Sequence, residues 1–319
     1  MDSIFIDGLS FALPLFIIAI GGIYSERSGI TNLALEGLLG VGAFFGALSV
    51  IFLGNFFPAG SQALVYIAML VAALGGMLYS MLHALLCIKF KANQVISGVV
   101  INILAMALTT FFTSQINSMA CGAASDKFQI GTSVRFTVPV LSAIPVFGAI
   151  FKQIYPFEVM IIVLALIAWY VLYKTRFGMR LRACGDNPNA VDAAGISVEW
   201  VRFRAVMVSG ALSGIGGMCF AYSIYAQYSS SIYAGYGYLA IAALIFGNWR
   251  ITPTLAACLL FGFAKSGGYC LIQLLGMPSS YSDLVMILPY AVTLLLLIFF
   301  SKSNRAPRAL GEIYDKGKR

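Results

Sequence analysis

Successive apolar runs of about 20 residues, the length a helix needs to cross a bilayer, restrict this chain more than any other feature. They lie near residues 9–24, 33–53, 62–88, 95–114, 156–173, 203–225, 237–248, 252–275 and 283–301. A soluble domain of 319 residues could not cover its outside with only 10% charged residues and a mean hydropathy of +0.91. The bilayer is the solvent. Lipid offers the backbone no hydrogen bonds, and the runs lack the polar-in, apolar-out alternation of a barrel, so helices are predicted. The expected fold class is all-α: one polytopic membrane domain over residues 1–319 with about nine transmembrane helices, eight to ten being acceptable. The windows at 9–24 and 237–248 are short, and the fourth carries Gln94, Ser97, Asn102 and two threonines. Broken or re-entrant elements are therefore expected.

Positive charge resists transfer across the membrane, so the Lys and Arg count per connection sets the orientation. With nine spans and the N-terminus outside, one face receives Arg27, Lys89, Lys91, Lys174, Arg176, Arg180, Arg182, Arg202, Arg204, Arg250 and the basic residues of a tail over 302–319. The other keeps only Lys127, Arg135 and Lys152, with Lys265 left inside a span. The basic face and the C-terminus are expected in the cytoplasm, with a cytoplasmic loop at about 174–202 and an external one at about 115–155. The net charge of +8 is then a topology signal whose partner is anionic lipid, with no nucleic acid implied. Asp2 and Asp7, without a basic residue, do not form the n-region of a cleaved signal peptide, so the first span should stay. Six cysteines without a CxxC pair and a single His83 indicate neither zinc nor a disulfide framework. His83, near the cytoplasmic end of its helix, is expected to be structural. GxxxxGK[ST], GxSxG and HExxH are all missing, which leaves transport, signalling or scaffolding rather than catalysis.

Three segments carry a family resemblance: YSERSGITNLALEGLLGVGAFFGA at 24–47, ANQVISGVVINILA at 92–105, and RFGMRLRACGDNPNAVDAAGISVEWVRFRAVMVSGALSGIGG at 176–217. With LPYAVTLLLLIFF at 288–300 they cover most of the chain. Together they resemble the permease subunit of bacterial ABC importers of the branched-chain amino acid and ribose superfamily, nearest its purine nucleoside branch. The resemblance implies residence in the bacterial cytoplasmic membrane, a second similar permease chain, and an ABC ATPase with two nucleotide-binding domains. It also implies a substrate-binding lipoprotein outside. No cofactor is expected on this chain, ATP being bound by the partner subunit. Nucleosides are the default solute, with riboflavin, sugars or branched-chain amino acids as alternatives.

In such importers a cytoplasmic loop inserts a short helix into a cleft of the ATPase. The matching residues are Arg180, Arg182, Ala183, Gly185, Asn187, Ala190, Ala193, Ala194, Gly195 and Ile196. Small side chains permit close approach, Asn187-Pro188 starts a helix and Gly195 can stop it. The plain alternative is a solvated loop that only satisfies the charge rule. Asn32, Gln94, Asn102, Tyr225, Gln227, Tyr228 and Lys265 are candidates to line the pathway, since amides pair with a neutral heterocycle and tyrosines stack on it. Interhelical hydrogen bonding is the competing use of Asn and Gln. Glu36, about one turn into the second span, reads as a scaffold acid fixing helix ends. A lysine at position 265 departs from the small or acidic residue of the family pattern; it could snorkel, pair with a carboxylate or face the path. Segments 29–46 and 235–247 share a Gly-led start, an Ala-Leu stretch and a closing Gly, a hint of inverted five-helix repeats. The rival class is an ion-coupled secondary transporter using Glu36, Glu158, Lys265 and Asp283. A scaffold or channel component is a third.

Overall fold

The computed structural model describes residues 2–316 apart from 59, 123, 132, 140–147, 149–151, 232, 234, 277, 279–284, 286 and 301–304. The chain is mostly helical: α1 (Asp2–Arg27), α2 (Leu35–Leu53), α3 (Gln62–Ala84), α4 (Gln94–Cys121), α5 (Pro156–Lys174), α6 (Arg176–Asp186), α7 (Pro188–Ala193), α8 (Val198–Phe220), α9 (Tyr236–Phe246), α10 (Ile251–Leu274) and α11 (Leu288–Phe300). Single π-turns, Leu85–Lys89 and Ala221–Tyr225, prolong α3 and α8. Among the described residues seven helices are long and apolar enough to cross a membrane, and each coincides with a window read from the sequence. The window at 237–248 instead yields the 11-residue α9. At 1.5 Å per residue that helix is about 16 Å long, half the apolar thickness of a bilayer. The last window lies partly outside the described residues, with α11 as its helical part.

Two expected boundaries shift. α4 runs on to Cys121, so the segment expected as a loop from 115 starts later, and the basic segment after 174 is itself helical over α6 and α7. Polar residues did not break α4 because they serve as hydrogen-bonding groups along an unbroken helix: Thr109 and Thr110 return their hydroxyls to carbonyls one turn back.

Helices α1, α2, α3 and α8 form the centre, and small residues let them do so. Lipid gives helices no hydrophobic reason to associate, so close backbone packing must supply the attraction. A Cβ on Gly42 would collide with the Gly214 backbone, and one on Gly210 with Gly76 and Ser80, which brings α2, α3 and α8 together at backbone distance. One end of the bundle gathers the basic connections. There Arg27 Nε donates to Trp249 O at 2.9 Å, Arg202 Nε to Ser28 O at 3.0 Å, and Lys91 pairs with Asp315 at 2.8 Å. At the opposite end β1 (Lys127–Gln129) pairs antiparallel with β2 (Gln227–Ser229), Phe128 facing Tyr228.

Candidate translocation cavity and coupling segment

Helix α9 starts part-way through the bundle. Its C-terminal end is tied to the basic end, where Trp249 Nε1 donates to the buried Glu26 carboxylate, and its length brings its N-terminus to about mid-depth. There it meets the start of α2. The Glu36 carboxylate accepts from Gly235 N–H at 2.7 Å and Gly237 N–H at 2.6 Å, neutralising N–H groups that α9 itself cannot satisfy. Gly235 has φ +98°, a turn that side chains rarely adopt, and a Cβ on Gly237 would strike the Glu36 backbone. From this junction α2 and α9 run toward opposite ends of the bundle.

Beside the junction is a cavity of about 310 Å³ lined by α2 (Glu36, Gly40), α4 (Asn102, Met106, Thr109), Ser230, Ser231 and Tyr233 before α9, and Tyr238 on α9. Residues 102, 106 and 109 recur at helical spacing and so share one face of α4. At the mouth Ile103 and Met106 are 66% and 59% exposed, so this chain encloses the cavity on one side only. Tyr238, Ser230 and Thr109 were missed in the sequence; the 102/106/109 spacing and the Gly-Tyr-Gly-Tyr run at 235–238 were the available signals.

The predicted pathway residues separate into groups. Asn102 lines the cavity with a committed amide: Oδ1 accepts from Gly37 N–H at 2.8 Å, and Nδ2 donates to Leu33 O at 2.8 Å and Tyr238 Oη at 3.0 Å. It caps the start of α2 from another helix. Asn32 and Gln94 do not line the cavity; they clamp the α1–α2 connection. Gln94 Oε1 accepts from Thr31 N–H at 2.7 Å, Asn32 Nδ2 donates to Ser209 Oγ at 2.8 Å, and His83, as expected of a structural histidine, bonds Ser97 Oγ and Thr31 O. Gln227 faces Gln129 across the strand pair, and Tyr228 is buried among Phe44, Phe128 and Tyr233. The Tyr225 side chain and Asp283 lie outside the described residues.

Lys265 does not snorkel. It is 7% exposed, donates to Tyr236 Oη at 2.7 Å and sits 4.0 Å from the Phe11 ring centroid, beside a separate cavity of about 380 Å³ shared with Asp7, Ser10, Ser223 and Tyr269. The ring faces supply the negative potential that a buried ammonium needs. At the start of α9, Tyr238 thus lines the first cavity while Tyr236, two residues earlier, holds the Lys265 that lines the second. Glu158 accepts from Ser10 Oγ at 2.7 Å, joining α5 to α1.

The residues predicted for coupling split by face. Asn187 Oδ1 accepts from Ala190 N–H at 3.1 Å to start α7. The helix stops through Gly195, φ +75°, with Ile196 N–H bonded to Val191 O and Gly195 N–H to Asp192 O, the paired closure a left-handed glycine permits. Ala190, Ala193, Ala194 and Gly195 are exposed, as is Arg180, while Ile196 is half-buried. Arg182 and Ala183 are half-buried, Arg182 lying 5.5 Å from the Tyr173 ring. Gly185 faces inward: a Cβ there would collide with Arg27 O, so it packs α6 on the end of α1 instead of meeting a partner. Cys184 is fully buried behind it, and burial pushes its thiol up to about 11.

Residues 4–297 match the family described as branched-chain amino acid transport system / permease component. The chain belongs to that family. The permease is 39% identical over 315 residues to the guanosine ABC transporter permease protein NupQ of Bacillus subtilis, covering 98% of this chain and 96% of the relative. It is 39% identical over 313 residues to the nucleoside ABC transporter permease protein NupC of Lactococcus lactis, covering 97% and 96%. A second Bacillus subtilis protein, the guanosine ABC transporter permease protein NupP, is 26% identical over 308 residues, covering 95% and 82%. No solved structure matches the chain. The permease is a multi-pass membrane subunit of an ABC transporter, in which ATP hydrolysis lies on a separate ATPase.

Proposed function

We propose that this permease imports nucleosides and that the cavity between α2, α4 and the start of α9 is half of their pathway. The observation that carries this reading is the junction at Glu36. A short helix that starts within the bundle beside a polar cavity, as α9 does against the start of α2, is one way membrane transporters build solute sites, because irregular backbone within the bilayer is tolerated only where it lines a cavity or is buried in protein. The charge of Glu36 is offset by two N–H groups, and the other polar atoms of the wall are hydroxyls and an amide. Such a wall suits a neutral, hydroxyl-rich solute. The two full-length relatives named for guanosine and nucleosides support the same substrate class.

The open side of the cavity, along α4, is where a second permease chain fits; Bacillus subtilis has both NupQ and NupP among the similar proteins. The exposed small residues of α7 are the docking element for the ATPase. The basic end faces the bacterial cytoplasm, α1 begins outside, and a binding lipoprotein delivers solute to the opposite end. The opposed courses of α2 and α9 agree with an inverted repeat. Uptake of radiolabelled guanosine or adenosine into proteoliposomes holding this chain, its permease partner, the ATPase and the binding protein tests the assignment. ATP-dependent uptake competed by nucleosides supports it. Competition only by riboflavin, a sugar or a branched-chain amino acid would replace the substrate, and uptake by this chain alone driven by an ion gradient would replace the mechanism.

A further inference from the structure

Residues 305–316 contain no regular helix or strand, yet they are anchored along their length to the basic end of the bundle. Arg305 N–H donates to Asn248 Oδ1 at 2.8 Å, reaching the α9–α10 connection. Ala309 N–H donates to Gly185 O at 2.8 Å on α6, and Gly311 N–H to Gly29 O at 3.1 Å in the α1–α2 connection. Arg202 on α8 donates from Nη1 to Glu312 O at 3.1 Å and from Nε to Ser28 O at 3.0 Å, so one planar guanidinium bridges this segment and the α1–α2 connection. Asp315 pairs with Lys91 between α3 and α4 at 2.8 Å, and Lys316 with Asp192 on α7 at 3.6 Å. The two ion pairs are partly solvated and contribute little. The backbone bonds and the buried Arg202 carry the attachment, with Pro307 and Ala309 buried beneath.

The α1–α2, α3–α4 and α9–α10 connections, with α6, α7 and α8, therefore touch one segment. One of them leads to the cavity: the α1–α2 connection held at Gly29 continues through Thr31 and Asn32 to Leu33, whose carbonyl accepts from Asn102, and to Glu36. We propose that residues 305–316 form a strap that makes α6–α7 and the α1–α2 connection move as one body, so that a displacement of α7 reaches the α2–α9 junction. This rests on the reading of α7 as the ATPase-docking element. Two discrete positions of such a strap would provide the coupling; mere proximity would not.

The test uses the full reconstituted complex. Gly311→Pro removes the N–H that bonds Gly29 and cannot adopt the φ of +81° found there. A second variant replaces 305–316 by a Gly-Ser segment of equal length, and ATPase co-purification, ATP hydrolysis and uptake are measured per complex. The strap predicts that the ATPase still co-purifies and hydrolyses ATP while solute moved per ATP falls by roughly five-fold in both variants. Unchanged uptake per ATP in both overturns it. Loss of ATPase binding in both also overturns it, because the segment would then be a docking surface instead. Failure of the underlying reading shows separately: Ala194→Trp would leave ATPase binding and uptake intact whatever the strap variants do.

Discussion

At the scale of single residues, Asn102 shows how a polar group in a membrane helix can be read two ways from the sequence and assigned from its partners. Its amide satisfies Gly37 N–H, an orphan donor in the first turn of α2, and holds Tyr238 at the cavity wall. Asn102→Leu keeps the volume and strands those groups. A stranded buried polar group costs about 1–3 kcal/mol, so the purified permease should melt at a lower temperature, and uptake per surviving complex should also fall because the wall loses its amide and its hold on Tyr238. Glu36→Gln should be harmful in another way. It discharges the acceptor at the start of α9, costing about 1 kcal/mol of helix-terminus interaction. Gln can still accept but no longer offers charge to both N–H groups, so the expected loss is in uptake per complex as α9 loses its fixed position. At Cys184 the sign of the pH effect follows from burial: a thiol raised to about 11 stays protonated at neutral pH. A maleimide at pH 7 should leave Cys184 unlabelled in native membranes and modify it after denaturation.

Among elements, α2, α3 and α8 depend on glycines meeting glycines. Gly214→Val places a branched side chain where the backbone of α2 and Ala72 O already lie. Overpacking of this kind costs about 1–3 kcal/mol or more, to be read as a drop in detergent-stable yield. The helices were largely legible in the sequence because lipid imposes a length and forbids unpaired backbone, so apolar runs alone located seven spans. The start and stop of α7 were legible for a local reason, Asn187-Pro188 and Gly195 acting within one turn. The roles of Asn32 and Gln94 were not, since both are decided by partners far along the chain: Ser209 for one, Thr31 for the other. Gly185 was misread for the same reason. Its smallness fits a docking face as well as it fits packing on α1, and only the contact with Arg27 separates the two.

For the whole molecule, the charge asymmetry read from the sequence becomes geometry, with basic connections at one end and the β1–β2 pair at the other. In a background without native cysteines, Ala124→Cys and Ala306→Cys place exposed thiols at the two ends. An impermeant reagent applied to intact cells should label the first, and the second only after permeabilisation; the opposite pattern would invert the topology and place α7 on the wrong side for an ATPase. The strap at 305–316 was invisible to any periodic pattern, because four backbone hydrogen bonds and two side-chain ion pairs tie irregular chain to six separate elements.

The half-built cavity has a consequence for the energised membrane. If the cavity is half of a pathway, a lone subunit presents it as a groove facing acyl chains rather than as a bore filled with water. It offers protons and sodium no continuous column to cross. If a second permease chain supplies the other wall, a cell that makes unequal amounts of the two chains would keep its ion gradients, because conductance could not appear before that wall does.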